Sequence, residues 1–201
     1  MSRTSVLTLF IALIAGCTGL LPGQVDAPDT YVLDARLHNP SKRPRGELVL
    51  AISMPRARAG YDTAQIAYLR RPYELEYFAK SQWVDTPARM LAPLLVRALE
   101  HGGGFRAVLQ APSTVPADLR LDTELTRLQH DFGTQPSRVE LALRAQLVDL
   151  RTKRVLAERE FEEVEIAPSE DAYGGVIAAN RALQRLLAQL AEFCATRPGG
   201  S

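Results

Sequence analysis

Several stretches of the chain alternate apolar and polar side chains with a period of two, which is the pattern of a half-buried strand. Tyr31, Leu33, Ala35 and Leu37 form one, and Ala64, Ile66 and Tyr68 lie on one face of residues 62–69. Residues 73–80 place Tyr73, Leu75, Tyr77 and Ala79 opposite Glu74, Glu76 and Lys80, with Arg70 to Pro72 as the turn of a hairpin. Leu119, Leu121 and Leu125 share a face of a later strand. Val139, Leu141, Leu143, Ala145 and Leu147 share one in the next, with Arg138, Glu140, Arg144 and Gln146 opposite. Arg151 to Arg154 turns the chain into a third strand through Val155, Ala157 and Phe161. Two shorter runs, residues 48–54 and 105–110, read as strands; the first is nearly all apolar, as in a central strand covered on both faces.

Two segments follow the helical period instead. Thr86 can cap the first, Pro87 suits its first helical position, and His101 to Gly104 ends it; Leu91, Leu94, Leu95 and Ala98 recur on one face. The second starts near Ser169, with Glu170 and Asp171 in its first turn. Tyr173, Val176, Ile177, Leu183, Leu186, Leu187, Leu190 and Phe193 make its apolar stripe. The predicted fold is a single α/β domain over residues 31–197, a mixed, largely antiparallel sheet carrying two long helices.

Composition changes this picture little. With 46 % apolar and 23 % charged residues among 201, the chain can bury an ordinary core. Its 24 basic and 23 acidic residues give no electrostatic case for nucleic acid.

The start of the chain adds more. Residues 1–16 carry Arg3 and then an apolar run from Val6 to Ala15. A bilayer span needs about 20 such residues, so the run fits the core of a secretory signal peptide. It ends on Ile14-Ala15-Gly16-Cys17, which resembles the bacterial lipobox. That resemblance implies cleavage before Cys17 and an N-terminal lipid on its sulfur, and two or three acyl chains anchor a protein stably. The same resemblance carries a sorting rule from enterobacteria, in which an aspartate after the cysteine favours the inner membrane, and by it Thr18 implies the outer membrane. Residues 17–30 read as the lipidated N-terminus and a flexible tether; the thirteen residues Thr18 to Thr30 would reach about 20 Å.

Candidate chemistry is sparse. No GxSxG, HExxH, P-loop or Rossmann fingerprint occurs, and no catalytic residue, metal site or cofactor is expected. His38, His101 and His130 stand in unrelated contexts; His101 suits a helix C-terminus. Gly102 to Gly104 could cradle an anion, but a helix exit explains it more simply. Cys194 falls on the apolar stripe as a small buried hydrophobe, and Glu162 and Glu163 read as solvated charge.

One window is more specific. Tyr61-Asp62-Thr63, Ile66, Tyr68, Leu75, Tyr77, Phe78, Trp83, Pro87, Leu91, Leu94 and Leu95 form an ordered set that resembles the ABC-type transport auxiliary lipoprotein family. Tyr31 to Asp34 and the hairpin over residues 147–161 extend the resemblance along the mature chain; Gln65 departs from it, where members often carry a basic residue. The resemblance implies a non-enzymatic accessory of mammalian-cell-entry (MCE) lipid transport, anchored in the Gram-negative outer membrane and facing the periplasm. The implied partners are an MCE-domain protein and the membrane itself, with contact to phospholipid or another lipid and a homo-oligomer left open. Phe78 breaks the polar face of its strand and Trp83 links it to the helix. Tyr68, Phe78 and Trp83 are therefore candidates for a partner or lipid contact, although core packing also explains them. The competing readings are an envelope lipoprotein that docks to another machine or to peptidoglycan, and, less favoured, an anchored hydrolase.

Overall fold

The computed structural model of the protein describes residues 27–35 and 43–196; the leader, Cys17 and Leu37 lie outside the described residues. In chain order the strands are β1 (Asp29–Tyr31), β2 (Val49–Ile52), β3 (Arg56–Ala57), β4 (Gln65–Leu69) and β5 (Leu75–Trp83). After helix α1 (Pro87–Gly102) come β6 (Ala107–Gln110), β7 (Leu119–Asp131), β8 (Arg138–Asp149) and β9 (Arg154–Ile166), and helix α2 (Ala172–Ala195) closes the described chain.

Strand β7 is the spine of one nine-stranded sheet. Along one edge it pairs with β8 over its whole length, and β8 with β9, both antiparallel. Along its other edge three short strands follow one another in parallel. β2 lies against Leu119–Leu121, β3 against Glu124 and Leu125, and β4 against His130 and Asp131. β6 extends β2, β5 pairs antiparallel with β4, and β1 adds a parallel edge to β5. The sheet is thus mixed, and its two longest ladders are antiparallel. It carries both helices, as an α/β fold of the predicted class does.

The alternating residues go where their spacing sends them. Val139, Leu141, Leu143, Ala145 and Leu147 are buried beneath α2, and β2 is buried throughout. The opposite face of β7–β9 is a lattice of exposed ion pairs, including Arg144 with Glu124 and Glu158. Each contributes about 0–1 kcal/mol. Phe161 packs edge-on against Phe193 at 5.6 Å, tying β9 to α2. Cys194 is buried, and desolvation pushes its thiol up to about 12.

Several expectations need correction. The first strand stops at Tyr31: Leu33 and Ala35 are buried, but the backbone there is taken by side chains of the helices instead of a neighbouring strand. The Asp34 N–H donates to Asn180 Oδ1 at 2.6 Å, and Arg97 donates to the Ala35 carbonyl oxygen at 3.2 Å. Tyr73 belongs to the hairpin turn, fully exposed at φ 69°, and not to the strand. A register shift at Leu147/Val148 turns Val155 out to solvent, away from the face of Ala157 and Phe161. Helix α2 begins at Ala172, not near Ser169. Asp171 is its N-cap because a carboxylate accepts the Gly174 N–H, at 2.7 Å, while Ser169 Oγ donates to that carboxylate at 2.8 Å. Tyr173 consequently falls beside the apolar stripe and is exposed. Thr86 is the N-cap residue of α1, but its side chain makes no capping bond.

Candidate functional site

The β4–β5 and β7–β8 hairpins meet at the end of the sheet where α2 begins. Strand register makes the meeting. Tyr68 lies opposite His130 in the parallel β4–β7 pair and opposite Glu76 in the antiparallel β4–β5 pair. Phe78 stands two residues beyond Glu76 and so shares its face. Just past β7, the Phe132 N–H donates to the Leu69 carbonyl oxygen at 2.8 Å, which brings a third ring alongside.

Tyr68 and Phe78 are 4.6 Å apart between ring centroids, Phe78 and Phe132 6.2 Å, and His130 and Phe132 4.0 Å. Ring pairs of this kind add about 0.5–1.5 kcal/mol each beyond the area they bury. They border a recess of about 440 Å³ lined by Tyr68, Arg70, Phe78, Phe132 and Glu170. Arg70 places its guanidinium carbon 5.3 Å from the Tyr68 ring centroid. The Tyr68 hydroxyl donates to Glu76 Oε2 at 2.8 Å, and that bond, with burial, raises the phenol above its ordinary value.

Behind the rings, His130 is 2 % exposed. Its Nε2 lies 2.8 Å from Ser137 Oγ, whereas its Nδ1 is buried without a hydrogen-bond partner among the described residues. Burial holds the imidazole below its ordinary value, against the pull of Glu170, Asp171 and Asp131. Gly175 of α2 covers this nitrogen, and a Cβ there would stand 2.5 Å from it. The Ser137 N–H donates to Glu170 Oε1 at 2.9 Å, and this bond is the main cause that lowers the Glu170 carboxyl. Ser137 is fully buried, so the Ser–His pair is a strut between hairpin and helix with no approach for a substrate.

The structure therefore brings together two of the three predicted contact residues, Tyr68 and Phe78. Trp83, 3 % exposed, lies on the inner side of His130, beside a gap of about 10 Å³ shared with Ile66, Leu128 and Ala179. Phe132 and His130 complete the cluster, and no local pattern marks them in the sequence. What such a rigid, ring-walled recess with one guanidinium and one carboxylate can do is hold a side chain of a partner. Among the described residues, no group of three or more His, Cys, Asp or Glu is placed to hold a metal ion.

The model of a family described as the ABC-type transport auxiliary lipoprotein component matches residues 31–191, which include every residue of this site. The chain belongs to that family. The lipoprotein family places the protein as an envelope-anchored auxiliary component of an ABC-type transport system. Solved structures agree in fold. The Xanthomonas campestris protein XCC0632, of the family termed DUF330, is 24 % identical with a TM-score of 0.76, covering 84 % of this chain and 95 % of its own. An uncharacterized protein follows at 13 % identity and TM-score 0.64, covering 85 % and 98 %. The hypothetical protein CT253 of Chlamydia trachomatis is 11 % identical at TM-score 0.51, covering 76 % and 97 %. No curated protein matches the chain significantly. No helix among the described residues is long and apolar enough to cross a membrane.

Proposed function

We propose that this auxiliary lipoprotein serves an MCE-type intermembrane lipid transporter, without catalysis of its own, from the periplasmic face of the outer membrane. Cys17 carries the lipid that holds it there, and the aromatic recess is its contact with the MCE-domain protein. In this reading Tyr68 and Phe78 make the contact while Trp83 supports their strands from the core. The observation that carries it is the recess itself: Phe78 and Phe132 remain half-buried at a surface whose backbone is fixed by two hairpins and a helix N-terminus. An aromatic pocket rimmed by an arginine is the composition that concentrates binding energy in protein interfaces.

The test is co-purification. The full-length protein is isolated from membranes in mild detergent, and its yield of MCE-domain partner is compared with that of Phe78→Ser. Truncating an anchor residue costs about 2 kcal/mol or more, so recovery should fall more than tenfold at equal protein level. Undiminished recovery removes Phe78 from the contact. A different envelope partner, recovered in place of the MCE-domain protein, favours the assembly-lipoprotein reading instead.

A further inference from the structure

A second recess, of about 630 Å³, lies at the other end of α2 and belongs to nothing described so far. Its walls are the exit of α1, the start of β6 and the segment carrying Arg43 and Arg45. Glycines shape it. A Cβ on Gly46 would stand 2.2 Å from the Gly104 carbonyl oxygen. One on Gly103, at φ +67°, would meet the Arg43 carbonyl oxygen at 3.0 Å. The same turn rests on α2, where a Cβ on Gly102 would come within 2.8 Å of the Ala191 methyl group. The triple glycine is thus more than a helix exit: it lets the 43–46 segment press against the end of α1, which delivers Arg43 and Arg45 to the recess that Arg106 lines.

The charges there are unbalanced. Arg43 is held by Glu192 at 3.2 Å, and His101 Nδ1 donates to the Arg97 carbonyl oxygen at 2.8 Å. Among the described residues, Arg45 and Arg106 make no ion pair, and Glu100 is the one acidic side chain of the lining. In a chain with 24 basic and 23 acidic residues, three arginines lining one recess is a local feature and does not follow from net charge. Guanidinium forks match phosphate oxygens in geometry and charge. The volume lies within the range of about 300–1,000 Å³ usual for small-ligand sites, which leaves room beyond a phosphate for the group that carries it.

We propose that this recess binds a phosphate group, with Arg45 and Arg106 as its main ligands and Arg43 as a third. It is independent of the aromatic recess: the two lie near opposite ends of α2, a helix about 36 Å long.

The full-length protein in a non-ionic detergent is titrated calorimetrically with inorganic phosphate, with dihexanoyl phosphatidylglycerol and with dihexanoylglycerol, which lacks the phosphate. The phosphate-bearing probes should bind and dihexanoylglycerol should not. Arg45→Ala combined with Arg106→Ala should weaken binding at least about tenfold at an unchanged melting temperature. Tighter binding of the phospholipid than of inorganic phosphate identifies a lipid headgroup as the source, and equal binding identifies the free anion. The proposal is overturned if neither phosphate probe binds at millimolar concentration, or if the double variant binds as the natural protein does.

Discussion

Replacing Gly175 with alanine sets two known effects against each other. Alanine is favoured over glycine in a helix interior by about 0.8–1.0 kcal/mol. Against this, the new methyl would stand 2.5 Å from His130 Nδ1 and 3.2 Å from Cγ and Cε1 of the same ring. The ring has little room to retreat, since Ser137 holds its far side and Phe132 stacks at 4.0 Å. Overpacking of a tight core costs about 1–3 kcal/mol, and a pinned ring places this site toward the upper end. The net expectation is a loss of about 1–2 kcal/mol. At about 2–4 °C per kcal/mol for a chain of this size, the melting temperature should fall by roughly 2–8 °C. Urea unfolding followed by circular dichroism measures the free energy directly. The same substitution in a His130→Ala background isolates the cause. With the ring gone the methyl fits, and Gly175→Ala should become neutral or stabilising by up to about 1 kcal/mol. A single variant as stable as the natural protein, or an equal penalty in both backgrounds, would refute the packing argument.

Two further outcomes follow from the same geometry and from the chain's start. Burial keeps His130 neutral at a pH where the unfolded chain takes up a proton, so stability is full above about pH 6.5 and falls as the pH drops below it. Melting curves of the natural protein and His130→Gln between pH 7.5 and 5 should converge toward the acid end; parallel curves would show that His130 is not the group responsible. Cys17→Ser should leave the protein unacylated and in the soluble fraction after washing, as fractionation and mass spectrometry would reveal, and a variant still acylated would contradict the anchor.

The ladders that follow one another along the chain were legible in the sequence, and those that do not were hidden. The β4–β5 hairpin and the β7–β8–β9 meander show their alternation and their turns locally, and both helices announce their apolar stripes, the first its stop as well. The parallel pairings of β2, β3 and β4 with β7 join segments distant in the chain, and nothing in either partner specifies the register. The candidate site inherits that division. Phe78 stood out because an aromatic ring interrupts a polar strand face. His130 and Phe132 did not, because only the Tyr68–His130 register carries them to it. The register shift between Leu125 and Arg127 hides them further, since it reverses which residues of β7 point inward. For Trp83 the sequence left core packing beside a contact role; the structure decides for the core, because β5 runs on through Trp83 to a place beside Gly175 and Ala179 of α2.

In the proposed function the aromatic recess is where an MCE-domain protein docks. A photo-reactive benzoylphenylalanine at Arg70, on the rim, tests this most directly in cells making the full-length chain. Irradiation should give an adduct with the MCE-domain protein, lost when Phe78→Ser is introduced alongside. Adducts solely with other envelope components, or an MCE adduct indifferent to Phe78→Ser, would contradict it.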